Sequence, residues 1–163
     1  LPLNQERDDF TQGCIALDNE KITNLDKKIN IENSVLVISE KKLQSVSKED
    51  LTIVLSNIFK WRDAWKDSDI TAYLSYYHAD FKKSNGQSLE DFSKYKTRVF
   101  NKDEKKTIEF YNINVIPYPN EGNKKIFKIV MDEKYKTKTF KFNGKKELYV
   151  EVLNETISIL AES

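Results

Sequence analysis

Apolar residues recur every three or four positions from Leu51 to Phe100 and then every second position from Lys106 onward, so the chain reads as helices followed by strands. Ser47-Lys48-Glu49-Asp50 is a capping-box-like start, with the acid three residues after the serine. Leu51, Val54, Leu55, Ile58, Arg62 and Trp65 follow it at the helical period, with Trp61 one turn before Trp65, and predict a long amphipathic helix to about Lys66. Asp67-Ser68-Asp69 caps a second helix through Tyr73, Leu74, Tyr76 and Tyr77. Ser88-Leu89-Glu90-Asp91 caps a third that carries Phe92, Tyr95, Val99 and Phe100. Strands are predicted over 106–117, 124–138, 140–153 and 156–161, with Asn143-Gly144 as a tight hairpin turn and Asn154-Glu155 as another. Helices first and antiparallel strands afterwards give an α+β domain over 48–163.

The first 39 residues have a different texture. Ile22, Leu25 and Ile29 stand at helical spacing, and Ser34-Val35-Leu36-Val37-Ile38 is a compact β-branched run that predicts a strand. Taken alone this region has too few strands to bury both faces of anything. Residues 40–47 read as a polar linker.

Composition excludes more than it selects. Lysine and arginine number 27 against 26 acids in 163 residues, so global charge points to no polyanionic partner. Sparse arginine and the lack of a recognition motif argue against nucleic acid. The single cysteine precludes an internal disulfide, and the single histidine, His78, precludes a His-rich metal site or a Ser-His-Asp triad within the chain; no cofactor is called for. No window approaches the roughly 20 apolar residues of a membrane span, and no signal-peptide pattern stands at Leu1. Charge is uneven, however. Lys124 to Lys146 holds nine lysines against Asp132 and Glu133, which predicts a cationic hairpin, either a solvated sheet edge or a seat for an anionic partner. Asp63, Asp67, Asp69 and Asp80 read mostly as caps or solvated acids, and Glu109, Glu147 and Glu151 as strand residues facing water; none identifies an acid/base pair.

Near the start, Thr11-Gln12-Gly13-Cys14-Ile15-Ala16-Leu17 places the cysteine directly after a glycine and before an apolar run. A lone cysteine is often a buried small hydrophobe. This segment nevertheless resembles the nucleophile motif of the YkuD-type L,D-transpeptidases and L,D-carboxypeptidases, which act on peptidoglycan stem peptides. Thr11, Gly13, Cys14 and Ile15 match the motif; Gln12 replaces its usual histidine and Ala16 its frequent arginine or asparagine, a form nearer the carboxypeptidases. The resemblance implies Cys14 as nucleophile with Thr11 and Gly13 as its motif neighbours. It places the catalytic histidine just upstream of Leu1, so the 163 residues by themselves are expected to be inactive.

Trp61-Arg62-Asp63-Ala64-Trp65, followed by Asp69, Tyr73-Leu74-Ser75-Tyr76-Tyr77-His78 and Phe81, resembles the nuclear-transport-factor-2-like (SnoaL-like) fold over residues 48–163. That implies three helices on a curved antiparallel sheet forming a cone. Trp61, Trp65, Tyr73, Tyr77, His78 and Tyr95 are then candidates for lining its mouth, as amphipathic walls for a sugar or peptide; core packing explains most of them equally well. A YkuD motif followed by this cone is the layout of peptidoglycan L,D-carboxypeptidases that determine cell shape in helical and curved ε-proteobacteria. The resemblance therefore implies a catalytic-domain remnant over 1–39, a linker, and a cone that positions stem peptides or muropeptides or forms a homodimer, all in the periplasm. The alternatives are a non-catalytic ligand-binding or dimerisation module and a SnoaL-type small-molecule enzyme.

Overall fold

The computed structural model of the chain describes residues 17–30, 34, 36–38, 45–122 and 124–163. These fall into two units, 1–36 and 37–163. In the first, α1 (Asn19–Asp26) is a two-turn helix with no buried residue. The strand predicted over 34–38 is not formed at its described positions, 34 and 36–38.

In the second unit α2 (Lys48–Lys66) opens with the predicted capping box: Asp50 N–H donates to Ser47 Oγ, and Ser47 N–H donates to Asp50 Oδ2, both at 3.0 Å. The face carrying Val54, Ile58, Trp61 and Trp65 is buried. Asp69 Oδ1 caps α3 (Ile70–Leu74) by accepting from Ala72 N–H at 2.9 Å. The chain then turns into β1 (Tyr77–Lys83), so the helix predicted through Tyr77 ends at Leu74. Tyr77 and Phe81 are both buried. Four residues apart, they share one face of a strand as readily as one face of a helix, so their spacing does not tell the two apart. α4 (Leu89–Phe100), capped by Ser88, buries Phe92 and Phe100.

Four long strands complete the sheet: β2 (Thr107–Pro117), β3 (Ile126–Lys136), β4 (Lys141–Leu153) and β5 (Thr156–Glu162). The order is β1-β5-β4-β3-β2, antiparallel except that β1 lies parallel to β5, so the curved sheet is mixed rather than purely antiparallel. Asn154-Glu155 forms the predicted turn, with Asn154 at φ 57°. Asn143-Gly144 does not turn; both residues sit within the β3–β4 ladder, opposite Lys134 and Glu133. The hairpin closes instead at Thr137–Phe140, where Thr137 Oγ1 accepts from the amides of Thr139 and Phe140. Register follows the inward alternation Phe127, Ile129, Met131 of β3 against Leu148 and Val150 of β4, which outweighs the local turn preference of Asn-Gly.

The core between helices and sheet is largely aromatic. Trp61, fully buried, stacks on Tyr73 at 5.5 Å and on Phe110 at 5.9 Å between ring centroids. Asn57, buried on α2, ties the helix to the β4–β5 turn by donating to Glu155 O at 3.0 Å while also donating to its own helix at Ile53 O. The result is the expected α+β cone.

Candidate functional site

A cavity of about 530 Å³ opens between α4, the β3–β4 hairpin and the end of β5. Aromatic rings build its walls. Trp65 from α2 stacks on Tyr135 of β3 at 5.5 Å, and Tyr135 meets Phe140 at 6.0 Å. Tyr95, Phe140 and Phe142 line the cavity and are exposed large side chains, so their faces are open to a ligand.

The lining is also strongly charged. Six lysines (Lys83, Lys96, Lys102, Lys106, Lys145 and Lys146) oppose three glutamates (Glu104, Glu133 and Glu162), an excess of positive charge that favours an anion. Lys146 Nζ stands 3.7 Å from Glu162 Oε2 and 3.9 Å from Glu133 Oε2. Glu162 Oε2 also accepts from the Tyr77 hydroxyl at 2.8 Å, and that hydroxyl is hydrogen-bonded to Tyr73 Oη at 2.7 Å. Burial holds both phenols well above their ordinary range. Lys106 is fixed by a hydrogen bond to Ser68 and lies over the Phe100 ring.

Lys96 is the least conventional group. Only 8% exposed, its Nζ lies 4.4 Å from the centroid of Trp65 and 5.2 Å from those of Tyr73 and Phe92. No hydrogen bond or ion pair joins it to a carboxylate among the described residues. Burial pushes its ammonium down to about 8, against the attraction of Glu162 and with help from Lys146. Glu133, 5% exposed, has its carboxyl pushed up by burial, an effect that Lys146 and Lys96 oppose.

Of the residues singled out in the sequence, Trp65 and Tyr95 line this cavity. Trp61, Tyr73 and Tyr77 are buried in the aromatic core and do not line it, although Tyr77 reaches the cavity through Glu162. His78 lies on β1 outside the lining, partly exposed, with Nδ1 accepting from Asp80 N–H at 3.1 Å. Thr11, Gly13 and Cys14 lie outside the described residues. Lys96 and Glu162 were missed, and Glu133 and Lys146 entered only as members of the cationic hairpin, yet all but Glu162 leave a trace in the pattern. Lys96 sits four residues from both Phe92 and Phe100 on the buried stripe of α4, and Glu133 continues the inward series Phe127, Ile129, Met131. Lys146 begins the inward series of Leu148 and Val150.

Away from the cavity three lysines of the cationic stretch are ion-paired. Lys124 pairs with Glu151 at 3.1 Å, Lys125 with Asp50 at 2.7 Å and Lys128 with Glu147 at 2.9 Å. Glu151 is therefore buried and ion-paired rather than water-facing as predicted, because Lys124 at the strand entrance folds over it. Among the described residues no helix is long and apolar enough to cross a membrane.

Residues 53–163 match the family of the Cds6 C-terminal NTF2-like domain. Two structures of the helical cell shape determining protein Pgp2 from Campylobacter jejuni are 35% identical over 93% of this chain, with TM-scores of 0.82 and 0.77; the chain spans 53% and 54% of them, about half the length of Pgp2. Bd1075 from Bdellovibrio bacteriovorus is similar with a TM-score of 0.75 and 20% identity, covering 100% of this chain and 58% of its own. An NTF2-like protein of unknown function from Pseudomonas putida has a TM-score of 0.59 at 10% identity, covering 72% of this chain and 87% of its own. At such identities the last two likenesses show the fold alone. No curated protein matches the chain.

Proposed function

Since the chain belongs to the family of Cds6 C-terminal NTF2-like domains, we propose that its cone is the substrate-docking part of a cell-shape-determining peptidoglycan enzyme, an L,D-carboxypeptidase or L,D-transpeptidase working in the periplasm. The cavity carries this reading. Its surplus of lysines suits the carboxylates of stem peptides, and its exposed rings at Tyr95, Phe140 and Phe142 suit the apolar faces of sugars or peptide. Similarity to Pgp2, a helical cell shape determinant, supports the same assignment.

The proposed chemistry belongs to the Thr11-Gly13-Cys14 segment. With a histidine as base, the Cys14 thiolate attacks the carbonyl of an L,D-peptide bond, backbone amides beside Gly13 stabilise the oxyanion, and a thioester forms as the terminal amino acid leaves. Water then releases the trimmed tripeptide, or an amine acceptor takes the acyl group. In a protein joining this chain to that histidine, Cys14→Ala abolishes release of terminal D-alanine from tetrapeptide muropeptides.

Docking is tested by co-sedimentation with peptidoglycan sacculi. The wild-type chain is retained, and Tyr95→Ala, at an exposed ring, lowers retention roughly twofold to tenfold. Failure of the wild-type chain to sediment, or retention indifferent to Tyr95→Ala, overturns the reading.

A further inference from the structure

Two buried groups of opposite charge face the cavity without a hydrogen bond to any of the described residues. Lys96 on α4 is surrounded by rings, and Glu133 on β3 has a long ion pair to Lys146, at 3.9 Å and beyond hydrogen-bonding distance, which Lys146 shares with Glu162. The two feel each other's field yet form no ion pair among the described residues. A buried ammonium and a buried carboxylate in this condition are costly, and each is relieved by a ligand group of opposite charge. A ligand bearing only a carboxylate satisfies Lys96 and is repelled by Glu133; one bearing only an ammonium does the reverse. A ligand that carries both groups close together satisfies both.

We propose that the cavity recognises a zwitterionic amino-acid group, its carboxylate on Lys96 and its ammonium on Glu133, with the attached chain leaving past Tyr95, Phe140 and Phe142. This rests on the docking reading above and sharpens it. In a stem peptide, a free ammonium and a free carboxylate share one carbon only in a diamino diacid that joins the chain through its other centre. Cross-linking acylates that amine and removes its charge. The cavity therefore selects stems that are not cross-linked through this amine, because a cross-linked stem leaves Glu133 with no more than the long ion pair to Lys146.

The test is calorimetric titration of the 163-residue chain with diaminopimelate, with pimelate, which lacks both amines, and with the diacetylated diamino compound. Diaminopimelate binds roughly tenfold or more tightly than either. Glu133→Gln keeps the side-chain shape, erases that preference and binds pimelate at least as well; Lys96→Gln weakens all three. Because the ligand comparison uses the wild-type chain, it decides the matter even where a variant fails to fold. Equal binding of the three compounds, or sacculus binding without diaminopimelate binding, overturns the zwitterion assignment and leaves docking intact. Loss of sacculus binding as well overturns both.

Discussion

Replacing Lys96 by methionine separates what this side chain does for the fold from what it does for the site. A lysine that titrates at about 8 in the folded chain and at its ordinary 10.5 when unfolded binds its proton less tightly in the native state. Between those pH values the unfolded chain holds more protons, so stability rises with pH across that window, by up to about 3 kcal/mol. Below about 8 the whole penalty is present. Lys96→Met removes it and keeps an unbranched apolar stem against Trp65, Tyr73 and Phe92. The lost cation–π attraction works against that gain, so the variant is at least as stable as wild type at neutral pH while losing ligand binding. Urea unfolding from neutral pH to just below 10 measures both. The upper limit is set by Tyr73 and Tyr77, whose raised phenols make stability fall as pH passes their ordinary 10.0. The wild-type midpoint climbs above pH 8 and the variant's stays flat. A variant less stable than wild type by more than about 1 kcal/mol at neutral pH, or a flat wild-type profile, refutes the reasoning.

Other outcomes follow from the same packing. Asn57→Ala loses the bonds to Ile53 O and Glu155 O and leaves the latter carbonyl unpaired, at a cost of about 2 kcal/mol in chemical denaturation. A Cβ at Gly144 comes within 2.6 Å of Phe142 Cζ, so Gly144→Ala swings that exposed ring; its thermal midpoint changes little while sacculus retention falls, and unchanged retention counts against Phe142 as a wall. Asp50 is lowered from 3.8 to about 2, chiefly by the hydrogen bond from Lys125 and then by the Ser47 amide. Its contribution to stability is present above 3.8 and lost as pH falls toward about 2; Lys125→Met makes the acid limb of the stability profile shallower than that of wild type.

Periodicity exposed the helices because their caps and stripes are local: Ser47 with Asp50, and Ser88 before Leu89, mark their own helix starts. β1 was hidden because Tyr77 and Phe81, four residues apart, fit one face of a helix as well as one face of a strand, and its strand partner β5 lies far along the chain. Asn143-Gly144 misled for a related reason: a turn preference is a property of two residues, whereas register belongs to two whole strands. Burial divides the aromatic residues singled out in the sequence, sending Trp61, Tyr73 and Tyr77 to the core and Trp65 and Tyr95 to the cavity wall. The charged residues of the cavity were harder to read. A lysine or glutamate within a strand or helix is ordinarily solvated, and only its place on an apolar stripe, as with Lys96 between Phe92 and Phe100, reveals that it points inward.

Backbone amide spectra of the 163-residue chain, recorded while muropeptides bearing uncross-linked tetrapeptide stems are added, test the docking claim most directly. Saturable shifts are expected at Trp65, Tyr95, Lys96, Glu133, Phe140 and Phe142, all of which line the cavity. Spectra that do not change, or shifts centred on the outer face of the sheet around Lys128 and Tyr149, contradict it.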